Sequence, residues 1–151
     1  MLKLFIETLP GLPDVGIVVT THPRSPDKEA IRAIIANSGV NMVFLEGVPS
    51  WQVALVADLT IVEVSTVGLE AVLMRRPVIS LQPELAGENE LVVSRFGFVP
   101  TGFTAQECRD FLVKAANPNY RKELLEKSAG FTTDGKATER VVQLVYSLLK
   151  P

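Results

Sequence analysis

Residues 59–81 read LTIVEVSTVGLEAVLMRRPVISL, and their reading decides the fold class. Leu59 to Val64 is an apolar, β-branched run of the kind that forms a buried strand. Ser65 or Thr66 then opens a helix whose apolar stripe is Leu69, Val72 and Leu73. Pro77 to Leu81 is a second strand. A strand that returns through a helix to another strand is the βαβ unit of a parallel sheet, because parallel neighbours need a crossover connection.

The same alternation extends outward. On the amino-terminal side, Ile17 to Thr21 reads as a strand. Ser25, Pro26 and Asp27 read as a helix start, with Ala30, Ile31, Ile34 and Ile35 as the stripe and Gly39 as the end. Met42 to Leu45 is the next strand, and Ser50 caps a short helix through Val53, Leu55 and Val56. On the carboxyl-terminal side, Thr104 and Glu107 have capping-box spacing before Phe111, Leu112 and Ala115. A helix follows from Asn119, and Asp134 caps a last one carrying Ala137, Val141, Leu144, Val145 and Leu148. About four to six strands alternating with helices predict an α/β fold, a Rossmann-like open parallel sheet with helices on both faces in a three-layer sandwich. Leu2, Phe5, Ile6 and Leu9 also have helical spacing, with no capping residue before them. A domain cut from a longer protein would look so, and so would a short native first helix.

The chain has 151 residues, which predicts one domain over 1–151 and one core. A net charge of -2 with scattered Lys and Arg lacks the footprint of a nucleic-acid binder. No apolar run approaches the roughly 20 residues of a membrane span, and the amino terminus does not read as a signal peptide, so the expected location is cytoplasmic. One Cys and one His cannot build a metal cluster, and no metal or cofactor is expected. Cys108 reads as a buried structural thiol on a helix face with Phe111 and Leu112. A hydrophobic content of 47% is rich for one soluble domain. Strands buried on both faces account for part of it, and a partner surface for the rest.

In an open parallel sheet, ligands sit at the carboxyl ends of the strands. Ser65, Thr66 and Gly68 pass directly from strand to helix there, where helix N–H groups and two hydroxyls favour an anion and Gly68 would let a diphosphate approach the backbone. The plainer reading is an ordinary Ser/Thr helix cap. Glu70, one turn on, is placed either to accept two bonds from a ribose diol or to stand solvated on the helix surface. His22 and Arg24, around Pro23, offer donors to a phosphate or sugar hydroxyl, or form a simple hydrogen-bonded turn. Gly47 and Val48 follow the second strand, and Trp51 beside them reads as core. Glu88 and Asn89 follow the fourth.

Ser65, Thr66, Gly68, Glu70 and Ala71 before Arg75, Arg76, Pro77, Val78 and Ile79 resemble the carboxyl-terminal lobe of GT-B glycosyltransferases and of the related UDP-N-acetylglucosamine 2-epimerases. His22-Pro23, Ala57-Asp58, Glu88-Asn89 and Gly97 before Phe98-Val99 support the resemblance, which runs nearly end to end. It implies a nucleotide-sugar donor lobe with Glu70 on the ribose and Ser65, Thr66 and Gly68 on the phosphates. Glu88 and Asn89, with His22 and Arg24, would face the sugar or diphosphate, and Gly47 and Val48 the base. A UDP-sugar is the expected ligand, with CMP or CDP as alternatives. Val64, Ser65, Thr66 and Leu69 depart from the epimerase version of the turn. The resemblance implies a partner amino-terminal lobe carrying acceptor site and base, so no catalytic residue is expected here. A nucleotide-binding or interaction module without chemistry is the rival reading.

Overall fold

A computed structural model of the protein describes residues 1–12, 15–83 and 91–149. The elements are α1 (Leu2–Thr8), a 3-10 turn (Leu9–Gly11), β1 (Ile17–Thr20), α2 (Lys28–Asn37), β2 (Met42–Leu45), α3 (Ser50–Val56) and β3 (Thr60–Val62). They continue as α4 (Val67–Leu73), β4 (Val78–Leu81), α5 (Val92–Arg95), β5 (Thr101–Gly102), α6 (Ala105–Ala115), α7 (Pro118–Lys127) and α8 (Ala137–Leu149). The fold is α/β, and every strand pairing among the described residues is parallel.

The strands form two ladders where the sequence predicts one sheet. β1 pairs with β2, Ile17 opposite Met42 through Thr20 opposite Leu45. β3, β4 and β5 pair in that order. Helices join the two ladders: α3 packs on α4, and Thr20 Oγ1 at the end of β1 donates to Ser50 Oγ at the start of α3, at 3.0 Å.

The three-stranded ladder is a three-layer structure. Alternation along β4 sends Val78 to one face, into a cluster with Val62, Ala71, Val72, Leu91 and Val93. Ile79 and Leu81 face the other way, against Cys108, Leu112 and Ala115 of α6 and Leu124 of α7. The partly buried Met1, Leu4 and Phe5 add to this second cluster, which is how α1 docks on α6.

Several boundaries follow local chemistry. The capping box forms as its spacing predicts, with Glu107 N–H donating to Thr104 Oγ1 (3.1 Å) and Thr104 N–H donating to Glu107 Oε2 (3.0 Å). Asn117 caps α7 with Pro118 in its first turn. α4 ends on a pair of closing bonds, Arg76 N–H to Ala71 O and Arg75 N–H to Val72 O, with Arg75 at φ 59° where glycine is usual. Arg75 also donates through its guanidinium to Ala129 O (2.9 Å), which helps hold this unfavourable backbone.

Other expectations shift. Ser25 does not cap α2. Its hydroxyl accepts from Asp27 N–H in a preceding turn, and helical bonding starts at Ile31 N–H to Asp27 O. Asp134 stands before α8, accepting from Lys136 N–H and from the Arg140 side chain. Trp51 is 43% exposed rather than core, because α3 is a single short helix that turns only Ala54 fully inward.

Candidate functional site

The β3–α4 junction is built on a buried polar floor. Ser80 Oγ donates to Glu63 O at 2.8 Å, and Gln82 Nε2 donates to the same carbonyl at 3.1 Å and to Ser80 Oγ at 2.8 Å. Ser80 and Gln82 are both fully buried. A carbonyl at the end of a strand has lost its ladder partner, and these two side chains satisfy it from the neighbouring strand. The bonds tie the point where β3 leaves the sheet to the end of β4.

Above this floor, Ser65 and Thr66 are exposed and α4 begins. The first turn is partly self-contained. Val67 N–H donates to Ser65 Oγ (3.3 Å) and Gly68 N–H to Ser65 O (3.0 Å), so two amides that the sequence offers to an anion have partners within the turn. Thr66 is the residue before the helix, and its side chain makes no capping bond. The Ser65 hydroxyl, acting as acceptor, keeps its hydrogen for a ligand, and Glu70 is exposed in the first turn of the same helix.

Gly68 points inward. A Cβ there would lie 2.9 Å from Val62 Cγ2 and 3.5 Å from Leu91 Cδ2. The close approach that this glycine permits is that of α4 onto β3.

His22 and Arg24 form a separate exposed turn after β1. Ser25 N–H donates to His22 O (2.9 Å) and Arg24 N–H to His22 Nδ1 (3.1 Å). Gly47 and Val48, both exposed, follow β2. Gly47 has φ 72°, a conformation that glycine adopts without a steric cost. The preceding Glu46 is ion-paired to Lys28 and Arg32 of α2. All these residues stand just beyond carboxyl ends of parallel strands. Among the described residues, no hydrogen bond or ion pair links the His22 turn to the Ser65 turn. Glu88 and Asn89 lie outside the described residues.

Ser80 is the residue of this junction that the motif reading passes over. Its signal is a hydroxyl inside an apolar strand, two residues before Gln82, where an alternating buried pair of polar groups needs a common partner. Cys108 is fully buried, with Sγ 3.4 Å from Gly102 O, and burial pushes its thiol above the ordinary range, with the nearby Glu107 charge adding to the effect. That is the setting of an unreactive thiol.

Two open clefts, of about 390 and 340 Å3, lie elsewhere. The first is between α1 and α2, lined by Lys3, Ile6 and Ala33 among others. The second, beside the amino ends of β1 and β2, is lined by Leu12, Ile17 and Val40 among others. Neither is lined by an expected site residue. Among the described residues no group of three or more His, Cys, Asp or Glu is placed to hold a metal ion, and no helix is long and apolar enough to cross a membrane. The chain matches no known family model and no curated protein.

Proposed function

We propose that the chain binds a nucleotide-sugar, with UDP as the preferred nucleotide, as the donor lobe of a glycosyltransferase-like enzyme of GT-B type. The observation that carries this reading is the β3–α4 junction: Ser65, Thr66 and Glu70 are all exposed around the first turn of a helix that directly follows a parallel strand, over a floor pinned by Ser80 and Gln82. Hydroxyl donors suit phosphate oxygens, and a carboxylate suits the two donors of a ribose diol.

The geometry supports the following roles. Ser65 and Thr66 donate to the diphosphate, with the positive end of the α4 dipole as a minor aid. Glu70 accepts from the ribose, and Gly68 keeps α4 close enough to β3 for both to share one edge. His22 and Arg24 contribute donors from the β1 end when a ligand spans the edge. Sugar transfer needs an acceptor site and a base, which this reading assigns to a partner amino-terminal lobe.

The test is titration calorimetry of UDP into the intact chain and its Glu70→Gln variant. An amide replaces a charged acceptor by a neutral one, so the expected loss is tenfold or more in affinity, about 1.4 kcal/mol, out of a charge-assisted bond worth roughly 1.5–3 kcal/mol. Thermal stability should stay within about 0.5 kcal/mol, as for other exposed substitutions. Unchanged UDP affinity in the folded variant removes the ribose role, and tighter binding of ATP than of UDP removes the donor assignment.

A further inference from the structure

Among the described residues, 132–135 make no hydrogen bond between backbone groups, although they lead almost directly into α8. Side-chain bonds hold this stretch instead. Gly135 N–H donates to Thr133 Oγ1 (3.2 Å), and Lys136 N–H donates to Asp134 Oδ1 (3.0 Å). The Arg140 guanidinium donates to both oxygens of Asp134, at 2.7 and 3.1 Å. All residues from Thr132 to Arg140 are exposed, so water reaches the whole segment.

Asp134 followed by Gly135 is the only Asp-Gly pair in the chain. The backbone nitrogen after an aspartate is placed to attack the side-chain carboxyl carbon, because the ring that closes is five-membered. Glycine leaves that nitrogen unhindered. A Cβ at Gly135 would meet nothing within 4 Å, so the surroundings do not crowd it either. The other aspartates, Asp14, Asp27, Asp58 and Asp110, precede the bulkier Val15, Lys28, Leu59 and Phe111. Asp110 also lies inside α6, where the backbone is fixed by helical bonding. At Asp134 no helix or ladder has to distort for the ring to close.

We propose that Asp134 is a site of spontaneous backbone isomerisation and that the Arg140 clamp sets its rate. The Gly135 nitrogen bonds to Asp134 Cγ, and the carboxyl OH leaves with the proton of that nitrogen as water, which gives a cyclic imide. Water then adds back. Cleavage of the new N–Cγ bond restores aspartate, whereas cleavage of the original peptide bond leaves isoaspartate, with the main chain running through Cβ and Cγ. Nothing is oxidised or reduced. The clamp opposes the first step because it holds the carboxyl oxygens on Arg140 and Lys136 and away from cyclisation. The bond from Arg140 and then that from Lys136 N–H also keep the carboxyl below its ordinary value of 3.8, hence ionised, whereas the departing OH belongs to the protonated form. Isoaspartate carries its free carboxylate directly on Cα, so the contact that ties this segment to Arg140 of α8 is lost. The proposal is independent of which nucleotide the chain binds.

The test is incubation of the folded chain and of its Arg140→Ala and Arg140→Lys variants for weeks in neutral buffer at body temperature. Trypsin then releases residues 128–136, between Lys127 and Lys136, as one peptide. Isoaspartate appears as a second peak of unchanged mass that accepts a methyl group from protein isoaspartate methyltransferase. Arg140→Ala should form it about two to five times faster than wild type, the range open to loss of an exposed ion pair. Arg140→Lys keeps the charge without the fork and should fall between. Circular dichroism should stay unchanged, since the Arg140 side chain is 61% exposed. Asp134→Glu should form none, because its ring would need a sixth member. Equal rates in wild type and Arg140→Ala overturn the role of the clamp. Absence of isoaspartate from this peptide in Arg140→Ala overturns the site.

Discussion

β1 and β4 are each four residues long, apolar and part of a parallel ladder, yet they sit in different physical worlds. All four residues of β4 are buried, and none of β1 is. The contrast extends to the halves of the chain: before Ala54, the only buried residue among those described is Thr8. The difference lies in what covers the strands. β4 has α4 over one face and α6 with α7 beyond the other, whereas β1 and β2 have α2 on one face and an open Val18 and Val43 on the other. An apolar β-branched run thus specifies a strand but not its cover, which depends on where the following helices end up. Apart from Thr8, the buried residues among those described run from Ala54 to Ser128, and the proposed nucleotide site is set at the edge of that core.

The comparison breaks most easily on equal core truncations. Leu81→Ala removes a fully buried side chain between β4 and α6 and should cost about 2–5 kcal/mol. Val19→Ala, on the half-buried β1, should cost under about 1 kcal/mol, since part of its surface is wet already. Urea unfolding of both variants reads the gap. Equal losses would mean that the two ladders share one core.

A smaller effect sharpens it. Gly68→Ala puts a methyl group 2.9 Å from Val62 Cγ2, on a buried β-branched side chain with a stiff first torsion. The strain of overpacking is about 1–3 kcal/mol, and the gain in helix propensity is about 1 kcal/mol in the opposite direction. A net loss of roughly 1 kcal/mol is expected by chemical denaturation, together with weaker UDP binding as α4 moves off β3. A stabilised variant would show that the helix has room to shift.

Much of the fold is legible in the sequence, since β2 and β4 and the Thr104 capping box rest on local patterning. What escapes is non-local. β5 is two residues long, held by Ser80 N–H to Pro100 O and Gln82 N–H to Gly102 O, and no periodicity survives over so short a run. α5 is a single turn, equally short for a stripe. The exposure of Trp51 depends on how far α3 extends, which composition does not encode. Of the site, the exposure of Ser65, Thr66 and Glu70 follows from reading a strand into a helix. The inward use of Gly68 does not, because a glycine at a helix start serves either a ligand or a neighbouring strand, and only the position of Val62 decides.

The smallest expected effect lies in the better-covered half and depends on pH. Phe103 N–H and Thr104 N–H both donate to the Glu107 carboxylate, at 2.9 and 3.0 Å, and hold it below the ordinary glutamate value of 4.5. A carboxyl group whose folded value is depressed favours folding when ionised. Its contribution is therefore fully present above 4.5 and disappears as pH falls through the lower folded value. Glu107→Gln keeps an acceptor oxygen without the charge, so wild type should be the more stable at neutral pH and the two should converge in acid. Asp134 is depressed in the same direction, first through its bond from Arg140 and then through Lys136 N–H. That exposed ion pair is screened by salt, whereas the short backbone bonds to Glu107 are less so. Urea midpoints of wild type and Glu107→Gln, taken from neutral pH down to acid at low and high salt, separate the two groups. A gap that persists in acid would mean that Glu107 acts through packing, and a gap abolished by salt at neutral pH would mean that its charge acts at long range and not through the two amides of its cap.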